Sequence, residues 1–250
     1  MLMTMTSAWI VLPAVLLAGG LIGASGIGGV LLVPVLTHLG AVPLPQAIAA
    51  ASLGFALPAL VVLGPLRRER ALAARCVPLL AGALAGAAAG ALMLRWLPAG
   101  LLMSGVTGLV LFAGWRGLMA ASDAAPASAA ALGTTALLAL GALVGLGSAL
   151  TGTGGPVLVI PLLMLLRQPL AFAVVAAQAI QLPVALASST VHAIEGRLDL
   201  SLALLCGVLM LAGSIAGQRA AALLAVRQMQ RMVSLLLLAV GAWFAWLLLT

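Results

Sequence analysis

Apolar runs separated by short polar or glycine-proline breaks follow one another along almost the entire chain. To within a few residues they read 8–24, 28–40, 46–64, 76–94, 101–115, 131–150, 155–166, 171–191, 200–224 and 232–249. A helix needs about 20 apolar residues to cross a bilayer. Runs 28–40 and 155–166 fall short, and read as tilted crossings or as re-entrant half-helices. Of 250 residues 65% are hydrophobic and 6% charged, too little polar surface for a soluble domain of this size. The expected fold class is an all-α polytopic membrane protein, one integral domain with the bilayer as its solvent.

Two of the breaks are unusual. Gly23-Ala-Ser25-Gly26-Ile-Gly28-Gly29 precedes Val30-Leu-Leu-Val-Pro34, and Thr151-Gly152-Thr153-Gly154-Gly155 precedes Pro156-Val-Leu-Val-Ile-Pro161. Loosened backbone at membrane depth survives only where protein or a polar cavity satisfies its N–H and C=O groups. Two such breaks at corresponding places in two halves point to the substrate site of a transporter.

The halves correspond elsewhere. Pro161 follows Pro34 by 161 − 34 = 127, and Gly213-x-x-x-Gly217 follows Gly86-x-x-x-Gly90 by 213 − 86 = 127. Gly114-Trp115 approximates Gly241-x-Trp243, and Leu57-Pro58 approximates Leu182-Pro183 at 182 − 57 = 125. We read a first transmembrane repeat at 1–120, a linker at 121–130 containing Ser122, Asp123 and Pro126, and a second repeat at 131–250. An odd count of about five segments per repeat makes the second copy inverted, and the repeats are expected to move against each other.

The net charge of +7 invites a nucleic-acid reading, but the arginines sit singly or in short groups between apolar runs. With both termini outside, Arg67, Arg68, Arg70, Arg75, Arg116, Arg167, Arg219, Arg227 and Arg231 fall inside and only Arg95 and Arg197 outside. That bias is the positive-inside rule, and no nucleic-acid partner is expected. The uncharged residues 1–7 make the first run a retained helix rather than a cleaved signal. Trp96, Trp115, Trp243 and Trp246 fit an interfacial aromatic belt. Cys76 and Cys206 read as small buried hydrophobes. Gly82-x-x-x-Gly86-x-x-x-Gly90 sets small residues on one helix face for close packing, with a homodimer face as the other use.

Glu69, Asp123, Glu195 and Asp199 all fall in expected loops, so no buried carboxylate offers a cation site. What remains at depth is neutral, and glycine loops opening helices suit anions. Candidate substrate contacts are Ser25, Gly26, Gly28, Gly29 and Pro34 in the first copy, and Thr151, Gly152, Thr153, Gly154, Gly155 and Pro161 in the second. Ser52, Gln178 and Gln181 join them, the glutamines spaced to share one helix face. Ser188, Ser189 and Thr190 are expected to bond back to their own helix. His38 and His192 read as interface anchors, with proton carriage as the sharper alternative. No metal site and no cofactor are expected.

The duplicated Gly-x-Gly-Gly-x-x-x-x-Pro motif, with an arginine-rich loop in the first half, resembles the TauE/SafE sulfite exporter family over essentially the whole chain. The motif carries over onto Gly26, Gly28, Gly29 and Pro34 and onto Gly152, Gly154, Gly155 and Pro161. The second copy departs by Pro156 and by one extra residue before Pro161. The resemblance implies a bacterial inner-membrane permease, not an enzyme, for sulfite, sulfonates, sulfoacetate or thiosulfate. Export is the expected direction, because an inside-negative membrane drives anions outward. Substrate, direction and coupling ion stay open. The alternatives are an intramembrane serine hydrolase using Ser188 or Ser189 with His192, and a channel whose filter is Thr151-Gly-Thr-Gly-Gly.

Overall fold

The computed structural model describes residues 5–25, 28–60, 70–120, 131–221 and 226–249. Gly26, Arg67, Arg68, Glu69 and the linker 121–130 with Asp123 lie outside them. All regular structure among the described residues is helical. Helix α1 spans Met5–Ser25. A 3-10 turn Gly28–Leu31, one α-turn Leu32–Pro34 and a π-helical turn Val35–Leu39 follow it. Then come α2 Leu44–Gly54, α3 Arg70–Met93 with a 3-10 turn Leu94–Trp96, and α4 Ala99–Ala120. The second half holds α5 Thr134–Thr151, α6 Pro156–Leu165, α7 Leu170–Ile194, α8 Leu200–Ala221 and α9 Val226–Leu249.

Several helices outrun their apolar runs. Arg75 and Arg116 lie within α3 and α4 rather than in loops, and α9 begins ahead of its run. Helical hydrogen bonding continues past the apolar residues, and arginine stems extend their charge back toward water. Among the described residues, Ala74–Trp96, Thr134–Thr151 and Leu200–Ala220 are long and apolar enough to cross a membrane. The exterior carries large apolar side chains such as Trp9, Leu17, Leu143, Leu165 and Trp246, as a lipid-facing surface requires.

Two apolar clusters organise the interior. One joins α1, the 28–39 segment, α2 and α8 through residues such as Val15, Leu32, Ile48, Phe55 and Met210. The other joins α3, α5, α6 and α7 through Leu79, Val144, Leu163, Phe172 and Ile180. Partners come from opposite halves of the chain: α1 packs on α8, α5 on α3, α2 on α8, α7 on α3, and α4 on α9.

Glycine makes the closest of these crossings. A Cβ added to Gly82 or Gly86 would strike the carbonyls of Leu138 or Ala142 on α5, and one on Gly90 would come within 2.6 Å of the Leu146 carbonyl. Across the other pair, a Cβ on Gly213 or Gly217 would strike the carbonyls of Leu16 or Gly20. Helices without side chains at the crossing gain dispersion contact between backbones, the main source of helix association in lipid. The glycine face of α3 is therefore used within the chain.

Segment 28–39 and α6 end alike. Ala41 (φ 51°) and Arg167 (φ 52°) adopt left-handed backbone, uncommon outside glycine. Val42 N–H then reaches back to the Leu36 carbonyl at 3.0 Å, and Gln168 N–H to the Leu163 carbonyl at 2.9 Å. Pro43 and Pro169 follow, each accepting the first hydrogen bond of the next helix.

Candidate functional site

Helix α5 stops because Gly152 turns left-handed (φ 65°), its N–H bonding the Ser148 carbonyl at 2.8 Å. Gly154 (φ 79°) and Gly155 (φ 100°) continue a path that only glycine follows without strain. Pro156 then takes the first position of α6, where its missing N–H costs nothing. Residues 151–157 are all buried, so this break sits inside protein.

The hydroxyls have defined roles here. Thr151 Oγ1 donates to the Gly147 carbonyl at 2.7 Å, so across its 3.0 Å contact with Thr153 Oγ1 it accepts. Both threonine protons are therefore engaged within the break, and neither is a free donor. Ser148 Oγ, buried and without a hydrogen-bond partner, lies 3.7 Å from where a Cβ on Gly155 would stand. Ser148 is thus the unengaged hydroxyl beside the second loop. Sequence reasoning missed it because it lies inside an apolar run, one helical turn before Thr151.

The two breaks meet. A Cβ added to Gly29 would stand 2.6 Å from Phe55 Cε1 and 2.9 Å from the Thr153 carbonyl oxygen. One on Gly152 would stand 2.6 Å from Val33 Cγ2, and one on Gly154 3.2 Å from the Phe55 ring. Phe55 therefore fills the space between the loops, at the bend where α2 gives way to the helical residues 56–60. It too was missed, being one more apolar residue in an apolar run. Pro34 is buried behind the first loop, and Ser52 is buried one turn before Phe55. Ile180 touches Gly155, so Gln181, buried, and Gln178, half-buried, flank that contact. Ser25 ends α1, Gly28 opens the 3-10 turn, and Pro161 lies within α6.

The expectation that each glycine loop opens a helix holds for one loop only, in line with the departure of the second copy from the first. Only the second loop opens a regular α-helix, Pro156–Leu165. After the first, a single α-turn gives way to π-helix, and the Thr37 hydroxyl bonds the carbonyls of Val33 and Pro34 at 3.0 and 3.1 Å. Proline supplies no N–H to hold an α-ladder through Pro34, and a π-turn relieves the mismatch. The dipole argument therefore applies to α6 alone.

The hydrolase reading finds no support. Ser188 Oγ bonds its own helix at the Val184 carbonyl (2.7 Å), and neither nitrogen of the buried His192 ring has a hydrogen-bond partner. A serine nucleophile needs a base in hydrogen-bond reach. His192 is also no interface anchor: its side chain is fully buried. His38 is exposed, with its ring 6.1 Å from that of Trp243. The free thiols of Cys76 and Cys206 are buried.

A family model described as sulfite exporter TauE/SafE matches residues 7–244. No curated protein and no solved structure matches the chain. With that match over nearly the whole chain, helices apolar enough to cross a membrane and a glycine break at 151–157 buried inside protein, the chain belongs to the TauE/SafE sulfite exporter family of transmembrane permeases.

Proposed function

We propose that this permease exports a small sulfur-containing anion, such as sulfite, a sulfonate, sulfoacetate or thiosulfate, by alternating access at the two glycine loops. The observation that carries the reading is the buried meeting of Gly29 with the Thr153 carbonyl, two breaks from opposite halves of the chain. The start of α6 and the Ser148 hydroxyl supply positive potential and a donor there. Phe55 occupies the space between the loops and must swing aside for an anion to enter.

An inverted repeat of 1–120 and 131–250 is supported by the exchange of partners. Counting segment 28–39 and α6 as the second of each half, the first and third segments, α1 and α2 or α5 and α7, pack on the fourth of the other half, α8 or α3. The shared left-handed endings at Ala41 and Arg167 support it again. The moving bodies are then the two interleaved clusters rather than the sequence halves, with the glycine loops at their seam. In the bacterial inner membrane, with both termini outside, the membrane potential drives efflux at ~2.3 kcal/mol per charge per 100 mV, so export needs no coupling ion.

The test is flux in oriented proteoliposomes with sulfite, thiosulfate, sulfoacetate and chloride, comparing wild type with Gly29→Leu and Gly155→Leu. Saturable flux of one sulfur anion, accelerated outward by an inside-negative potential and lost in both variants, is expected. Flux of chloride alone, or of a sulfur anion undiminished by both substitutions, overturns the proposal.

A further inference from the structure

Helix α7 carries Ile180 against the second loop, and His192 follows 192 − 180 = 12 residues later, in the last turn before the helix ends at Ile194. At 1.5 Å per residue His192 lies about 18 Å from Ile180 along the axis. Gly196 (φ 67°) closes the helix: its N–H bonds the Ala193 carbonyl at 3.1 Å, and the Arg197 N–H bonds the His192 carbonyl at 2.9 Å. This is a Schellman turn. It satisfies the last carbonyls and sets Arg197 within reach of α3, where Nη2 donates to the Ala91 carbonyl at 3.0 Å.

The charges here are loosely matched. Glu195 Oε2 is 3.6 Å from Arg197 Nη2, and Glu195 Oε1 is 3.5 Å from Arg95 Nη1. Both exceed the ~2.7–2.9 Å of a direct charge-assisted hydrogen bond. Asp199 is engaged elsewhere, its Oδ1 accepting the Leu202 N–H at 3.1 Å. One carboxylate is thus shared by two guanidiniums.

Beside this, Arg197 Nε and Nη1 are buried without a hydrogen-bond partner. So are both ring nitrogens of His192 and the hydroxyl of Ser189, one turn earlier on α7. Each unmade buried hydrogen bond is costly, and most costly for a charged donor. A guanidinium only donates, so the missing partner must accept, and the incomplete neutralisation of Arg95 and Arg197 calls for negative charge.

We propose that Arg197, His192 and Ser189 form a second anion site, distinct from the glycine loops, that takes the oxoanion head of sulfite or a sulfonate. Glu195 lies across it as a competing carboxylate when no anion is bound. This rests on the reading that the chain passes a small sulfur anion, and it puts the second site at the mouth of that route on the face bearing Arg95 and Arg197.

The experiment is equilibrium binding of radiolabelled sulfite and methanesulfonate to the full chain in nanodiscs, with flux measured in parallel. Arg197→Gln is expected to raise Kd at least tenfold. Arg197→Lys should fall between, since an ammonium keeps the charge and loses the planar fork. Glu195→Gln should tighten binding severalfold. Gly29→Ala should slow flux at least about fivefold and keep the Arg197-dependent binding, which separates the two sites. Wild-type affinity in both Arg197→Gln and Glu195→Gln overturns the proposal, as a recess filled only by water would give. Should Arg197→Gln fail to insert, unchanged affinity in Glu195→Gln overturns it alone. Normal flux in Gly29→Ala counts against the loop site and leaves the Arg197 site standing.

Discussion

Replacing Gly29 by alanine tests the meeting of the two loops with a single methyl group. The φ of Gly29 is not among the left-handed ones, so its backbone accepts alanine. The space does not. The new carbon would stand 2.6 and 2.7 Å from Phe55 Cε1 and Cζ and 2.9 Å from the Thr153 carbonyl oxygen. Carbon atoms rest at about 3.5–4.0 Å, so the ring must retreat by roughly 1 Å and the second loop by several tenths of an ångström. Overpacking of this kind costs about 1–3 kcal/mol. Borne by the step in which the loops close on each other, it slows transport by about fivefold to 150-fold. The assay is sulfite efflux from proteoliposomes at fixed membrane potential, with thermal unfolding in detergent alongside. Gly105→Ala is the control: nothing lies within 4 Å of its added carbon, and alanine favours the helix by up to ~1 kcal/mol, so flux should hold and stability hold or rise. Gly29→Ala with wild-type flux and wild-type unfolding temperature would refute the reasoning.

Ala41→Gly and Arg167→Gly should each raise stability by about 1 kcal/mol, because glycine removes a left-handed strain of ~1–2 kcal/mol at a smaller entropic cost; a lower unfolding temperature in both would contradict this. Gly86→Ala should lower stability by ~1–3 kcal/mol, since its Cβ meets the Ala142 backbone, with C at 2.7 Å and Cα at 2.8 Å. Gly108→Ala, with nothing within 4 Å, should not, and equal unfolding temperatures for the two would count against the crossing. Ser148→Ala should leave unfolding unchanged or raise its temperature, since it deletes a buried hydroxyl without a partner, while raising the half-saturation concentration for the transported anion severalfold.

The glycine breaks were legible because their chemistry is local: Gly152, Gly154 and Gly155 need no distant partner to announce left-handed backbone. The small face of α3 was legible as a face, but spacing alone does not say what lies against it, and α5 could be found only in three dimensions. Hydroxyl roles were illegible for the same reason. Thr151 and Thr153 stood out as polar groups in a loop, yet they bond to Gly147 and to each other, while Ser148 inside the preceding run is the unengaged one. Irregularity at 35–39 followed from Pro34 meeting the Thr37 back-bonds, a conflict that no periodicity displays. Ala41 gives no local signal at all, and its counterpart Arg167 stands out in the sequence only by its charge. His192 reads as an interface residue from its place at the end of a run, yet its side chain is fully buried beside the Gly196 turn from which Arg197 crosses to Ala91, a tertiary contact the sequence does not display.

The glycine crossings bear on how the protein is made. Translation delivers α1 and α3 long before α8 and α5, the helices whose backbones they touch. Until then the flat faces of Gly19 and Gly23 on α1, and of Gly82, Gly86 and Gly90 on α3, lie against lipid or against each other. Hence a nascent chain stopped near residue 120 holds inserted helices that lack their mates, and membrane quality control would see exposed grooves rather than a finished half. The crossings are complete only when α5 and then α8 enter the bilayer, so stretches synthesised later decide whether the first ones are kept.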